Sequence, residues 1–151
     1  MIEDTAELTI AHPNVVRLEA RRDQVSVPPV TVRDLLRASL RLRPDRIVVG
    51  EVRGGEAFDL LQALNTGHGG SLCTIHANNG VLALSRLASC VLQSGVELPY
   101  DRIERWIRES FALVMHLERH RGQRKVTEIV QVTADAGQNA PHDKSKERSC
   151  A

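Results

Sequence analysis

The chain has 151 residues, 42% of them hydrophobic, which suits one domain with a sizeable core. Twenty basic against nineteen acidic residues leave a net charge of +1, so the overall field marks no nucleic-acid or membrane footprint, and 3% aromatic residues give no stacking platform for single strands. Cys73, Cys90 and Cys150 are too few and too scattered for a disulfide framework or a zinc-finger spacing, which suits a reducing cytosol, and no apolar run reaches the roughly 20 residues of a membrane span.

In chain order, "MIEDTAEL" places one apolar residue before two carboxylates, as if a strand had lost its first half, with no basic region and apolar stretch of a secretory signal. "NVVRL" at 14–18 reads as a short strand and "EARRDQ" at 19–24 as a loop. "VPPV" at 27–30 is a breaker that no central strand tolerates. Thr31 followed by Asp34 is a capping pattern, and it opens a helix running to Arg43 with Leu35, Leu36, Leu40 and Leu42 near one side. Pro44 ends that helix. "RIVVGE" at 46–51 is a short, nearly continuous apolar run, the pattern of a buried parallel strand. A helix over 55–65 follows, closed by glycines, and then a strand, "SLCTIHA", at 71–77. "GVLALSRLASCVLQSG" is an amphipathic helix with Val81, Leu84, Leu87, Val91 and Leu92 at helical spacing. Pro99 suits the first turn of one more helix, and residues 112–132 read as two strands joined at Arg121–Gly122. From 133 onward the composition turns polar, the signature of a disordered tail. Strands alternating with helices predict an α/β fold built on a parallel sheet.

Three segments bring chemistry to one sheet edge. Open parallel sheets bind ligands beyond the carboxyl ends of their strands. The 46–51 strand delivers Glu51 there, with Arg53 two residues on as a fixed cation for anionic oxygens. By itself, an apolar run ending in an acid is also an ordinary strand end. "TGHGGSLCTIHANN" sets Thr66, His68 and His76 among glycines that let a backbone approach a ligand closely, with His76 at the same edge as Glu51. Glu3 and Asp4 end the first strand, and paired acids at an edge coordinate magnesium or polarise water. Arginines are plentiful from Arg17 to Arg53; most sit on solvated faces, and one or two are placed to meet phosphate.

The order "IEDTAEL", "LRASLRLRPDRIVVGEVRGGEAFDLLQALNTGHGG", "SLCTIHANN" closely resembles the secretion ATPases of type II and type IV systems, including conjugal-transfer and tight-adherence pilus ATPases, over residues 1–132. The resemblance implies a RecA-like P-loop core, a truncated parallel sheet flanked by helices with a small C-terminal strand pair. "IED" matches the acidic Asp box, making Glu3 the catalytic carboxylate and Asp4 its neighbour. "RIVVGE" matches the Walker B strand, so Glu51 supports the water and magnesium network, and "TGHGGSLCTIHAN" matches the His box, in which Thr66, His68 and His76 read the γ-phosphate. Arg41 occupies the family's arginine position before Walker B, and Arg21 and Arg22 lie in a loop that reaches across a subunit boundary.

The cofactors implied are ATP and Mg2+. The implied assembly is a hexameric ring, cytoplasmic and peripheral to an inner-membrane secretion or conjugation complex, with no sequence-specific nucleic-acid contact. The sequence departs from the pattern in having no GxxxxGK(S/T) loop, which the family places upstream of the Asp box, so the chain reads as the C-terminal part of the ATPase domain. Two other readings stay open: a non-catalytic remnant that packs on a longer subunit, and a metal hydrolase using Glu51, His68 and His76.

Overall fold

Four short parallel strands form the central sheet of the computed structural model, which describes residues 1–133. They are β1 (Ile2–Glu3), β2 (Leu18–Glu19), β3 (Val48–Val49) and β4 (Leu72–Cys73), in the spatial order β2-β1-β3-β4. Helix α1 (Val32–Leu40) joins β2 to β3, and α2 (Glu56–Asn65) joins β3 to β4. Helices α3 (Gly80–Leu92) and α4 (Tyr100–Ser110) follow, and an antiparallel pair, β5 (Leu113–His120) and β6 (Gln123–Gln131), ends the described chain. The expected parallel sheet with flanking helices and a C-terminal strand pair is therefore present. Of the tail expected over 133–151, only Thr133 falls within the described residues.

Burial explains why these segments take these forms. In the 46–51 run, Ile47 and Val49 share one face of the strand and are fully buried, while Val48 between them, on the other face, is half-buried. Leu60 and Leu61 of α2, Val91 of α3, and Ile103 and Ile107 of α4 join them in one core. Each such side chain stabilises the fold by roughly 1.5–3 kcal/mol. Ile103 and Ile107, four apart, are the buried stripe of α4, and the Trp106 ring meets Phe58 of α2 edge-on at 5.8 Å. Thr31 and Asp34 make both bonds of the capping box at the start of α1.

Several boundaries move. The strand expected at 14–18 keeps only Leu18 and extends to Glu19, because pairing with β1 covers just that register. The 19–24 loop and the Pro pair fold back on each other through bridges Arg21–Val30 and Gln24–Val27. Helix α1 stops at Leu40, and Arg43 takes a φ of 52°, so Leu40 and Leu42 are exposed while Ser39 is buried. The 71–77 strand shortens to two residues, leaving His76 in the following loop. Val81 and Leu92, expected on the apolar side of α3, lie at its two ends and are exposed. Pro99 is the N-cap of α4, not its first turn.

Candidate functional site

The carboxyl ends of β1, β3 and β4 bring Asp4, Glu51, Arg53 and His76 together. Glu51 follows β3 by two residues and is approached on each oxygen, by Arg53 Nη2 in an ion pair at 2.5 Å and by His76 Nε2 at 3.3 Å. The other arm of the Arg53 guanidinium lies 3.7 Å from Asp4 Oδ2, and Arg22 approaches the same oxygen at 3.9 Å. The Arg53 hydrogen bond holds the Glu51 carboxyl below its ordinary range, with the charges of Arg53, His76 and Arg86 adding to it. The same pair raises the Arg53 guanidinium above its usual value. Glu51 is therefore a fixed carboxylate at neutral pH.

The loop that carries Arg53 has its own clamp. Glu56, in the first turn of α2, accepts from the backbone N–H of Arg53 at 2.6 Å and of Gly54 at 2.8 Å. Thr74, just past β4, donates its hydroxyl to the Gly50 carbonyl and accepts from Val52 N–H through its own carbonyl. An open cavity of about 520 Å³ lies beside this cluster; Arg21, Arg22, Arg33 and Arg53 line it with Asp4 and Glu51. The first residues of α1 and α2 face it as well, and helix N-termini favour anions. The donor set is oxygen from carboxylates plus a cationic rim. Magnesium takes one or two protein carboxylates and completes its shell with water and phosphate, so Asp4 and Glu51 fit it.

Glu3 is placed differently. It is 5% exposed, and its Oε1 accepts from the backbone of Glu7 and Leu8, each at 2.9 Å. Its side chain presses on Gly50, where a Cβ would stand 2.9 Å from Glu3 Cγ. Glu3 thus ties the Asp4–Leu8 turn to the Walker B-like strand.

His68 and Thr66 are not at this edge. Both cap the C-terminus of α2: Thr66 Oγ1 donates to the Ala63 carbonyl at 2.9 Å, and His68 Nδ1 lies 2.9 Å from that same oxygen. Ser71 links the His68 carbonyl to Ile47 N–H, at the start of β3. The whole of β4 separates His68 from His76, so the two histidines occupy opposite ends of the sheet. The set Glu51, His68 and His76 does not converge, and the described residues hold no group of three or more His, Cys, Asp or Glu able to share a metal. Arg41 is the exposed C-cap of α1, at the end of that helix remote from the cavity.

Sequence reasoning placed Arg33 only within the general supply of arginines and missed Glu56 and Asp59. Arg33 and Arg37 both reach the buried Asp59 carboxylate, at 2.5 and 2.8 Å. The available signals were an acid three residues after Arg53 at a helix start, and one acid inside the apolar stretch "AFDLLQAL".

A parallel sheet flanked by helices, with an acid–arginine–imidazole edge beside an arginine-rimmed cavity, is the architecture of a RecA-like P-loop core. The family model described as "Type II/IV secretion system protein" matches residues 1–151, and the chain belongs to that family. It is similar to a protein of Mycobacterium tuberculosis (strain ATCC 25618 / H37Rv) named for conjugal transfer, 45% identical over 130 residues, covering 85% of this chain and 36% of the relative. The type IV secretion system protein VirB11 of Brucella suis biovar 1 (strain 1330) is 42% identical over 123 residues, covering 77% and 34%. The crystal structure of the VirB11 ATPase from the Brucella suis type IV secretion system in complex with sulphate superposes with a TM-score of 0.76 at 39% identity, covering 86% of this chain and 38% of that one. The chain thus spans little more than a third of the length of these relatives.

Proposed function

We propose that this chain carries the carboxylate edge of a secretion-system ATPase, which uses ATP with Mg2+ to power type IV secretion, conjugative transfer or pilus assembly. The observation that carries the reading is the Glu51 carboxylate, paired at 2.5 Å with Arg53 and at 3.3 Å with His76 beside a cation-lined cavity. When bound, Mg-ATP supplies the phosphoanhydride that is cleaved. Glu51, kept ionised, would orient water and, with Asp4, would hold the magnesium. Arg53 and Arg22 meet anionic oxygens, and His76, with Nε2 3.3 Å from Glu51 Oε1, registers whether the Glu51 partner has changed. Glu3 serves this edge as the brace between its turn and the β3 exit. His68 and Thr66 act from the far end of the sheet, so their part in γ-phosphate sensing is indirect, through the α2–β4 connection. The phosphate loop comes from sequence outside these residues. The working assembly is a hexamer of the intact protein, cytoplasmic and docked on an inner-membrane complex, in which Arg21 and Arg22 reach a neighbouring subunit; no described helix is long and apolar enough to cross a membrane.

A graft tests this. Residues 1–132 replace the matching segment of the Brucella suis VirB11 ATPase, and phosphate release is followed with Mg-ATP. The graft should turn over, Glu51→Gln should lower kcat by about 100-fold or more, and His76→Ala should lower kcat more than it raises KM, the mark of groups acting between nucleotide states. Turnover unmoved by both variants would refute the proposal. A second reading, a non-catalytic module packed on a longer subunit, draws on the exposed apolar face of Leu113, Met115, Leu117 and Ile129. It predicts that the graft is inactive while the 151-residue chain binds the intact family member.

A further inference from the structure

The loop between Thr74 and Asn79 carries His76, yet little of it is tied down. Thr74 anchors its start on the β3 exit. Ile75 packs against the core, but residues 75–78 make no backbone hydrogen bond to another described residue. The loop's far end is the N-terminus of α3. There the Asn79 side chain accepts from Leu82 N–H at 2.8 Å, and the Glu128 carboxylate of β6, 48 residues away in sequence, accepts from Gly80 N–H at 2.7 Å.

Two features show that this contact is built in. The register of β5 and β6 pairs His116 with Glu128 and Leu117 with Val126, leaving Thr127 as the extra residue of a β-bulge. A bulge changes which side chains face inward. It turns Glu128 and Val130 toward α3 and leaves Val126 and Ile129 exposed. The second feature is Gly80 itself. A Cβ there would stand 2.8 Å from Val130 Cγ2 and 3.1 Å from Glu128 Oε2, so only glycine admits the hairpin this closely. A carboxylate on a helix N-terminus is also favoured by the helix dipole.

We propose that Glu128 is a positioning residue for the edge site: aimed by the bulge at Thr127, it latches the first turn of α3 and so holds His76 on Glu51, coupling the C-terminal hairpin to the nucleotide edge. The proposal deepens the ATPase reading and rests on it for the role of His76, but its test uses no nucleotide, so the two fail separately. The ring resonances of His76 are recorded by NMR in the 151-residue chain at fixed pH, with Glu51→Gln marking their position when the carboxylate partner is lost. Glu128→Ala should move them at least halfway to that position and speed Gly80 amide exchange about tenfold. Glu128→Gln, which keeps an acceptor oxygen, should restore both. Gly80→Ala should repeat the Glu128→Ala effect with the carboxylate intact. If Glu128→Ala does not fold, Glu128→Asp, with its carboxylate one methylene short, takes its place. His76 resonances that stay at their wild-type positions while the melting temperature falls would overturn the proposal and leave Glu128 a stabilising contact only.

Discussion

Replacing Gly50 by alanine should strike Glu3 before anything else. The new Cβ would sit 2.9 Å from Glu3 Cγ but 3.5 Å from Glu3 Cβ, so the clash is with the outer part of the side chain alone. Glu3 is 5% exposed and has no room to yield without releasing the Glu7 and Leu8 amides it holds at 2.9 Å. Overpacking a buried site costs about 1–3 kcal/mol, and the two amide bonds add to that, so Gly50→Ala should destabilise by about 2–4 kcal/mol. Glu3→Ala alone should cost only about 1–2 kcal/mol, because Glu7 and Leu8 are exposed and their freed amides regain water. The double variant decides the mechanism. With the side chain cut at Cβ, the remaining 3.5 Å approach is ordinary contact, so adding Gly50→Ala to Glu3→Ala should cost almost nothing. Urea unfolding of the four proteins should therefore give a coupling energy of about 2–4 kcal/mol. Additive losses would refute the claim that Glu3 is what fills the space above Gly50.

Other consequences follow from the same geometry. Asp59 is buried while Arg33 and Arg37 are 35% and 59% exposed, so Asp59→Ala should cost about 1–2 kcal/mol as both guanidinium groups turn to water. The pair Arg33→Met, Arg37→Met strands the carboxylate and should cost about 3–5 kcal/mol in the same urea assay; the reverse ranking would contradict the burial argument. Glu51 has its pKa lowered by folding, so its pairing stabilises above the unfolded value of 4.5 and is lost as pH falls through the lower folded value. Melting curves taken from pH 6 down to pH 3 should fall more steeply below 4.5 for the wild type than for Arg53→Leu, and parallel curves would remove the pair from the account. Burial pushes the Cys73 thiol up to about 11. At pH 8 the thiolate is then roughly one part in a thousand, and alkylation by iodoacetamide should run about 100-fold slower than for glutathione; a rate within tenfold would place Cys73 outside the buried β4 register.

Some of this molecule was written in local sequence. Thr31 and Asp34 announce the start of α1 because a capping box needs only residues three apart. Ile47 and Val49 announce a buried strand because a run of apolar residues has few other places to go. The edge of Asp4, Glu51 and His76 was legible for a related reason: each residue ends an apolar run, and parallel strands all deliver their carboxyl ends to one side. Distances between segments were not legible. His68 and His76 look like a matched pair in "TGHGGSLCTIHANN", yet β4 runs between them and carries His68 to the opposite end of the sheet. The hold of Glu3 on its own turn, the burial of Asp59 between two arginines and the reach of Glu128 to Gly80 depend on partners as many as 48 residues away. The sequence by itself determined which elements form and which sheet edge gathers the acids, since capping and burial act through neighbours along the chain. The tertiary structure alone decided that His68 caps a helix at the far end of the sheet instead of joining His76 at that edge, because that choice is made by packing across the sheet.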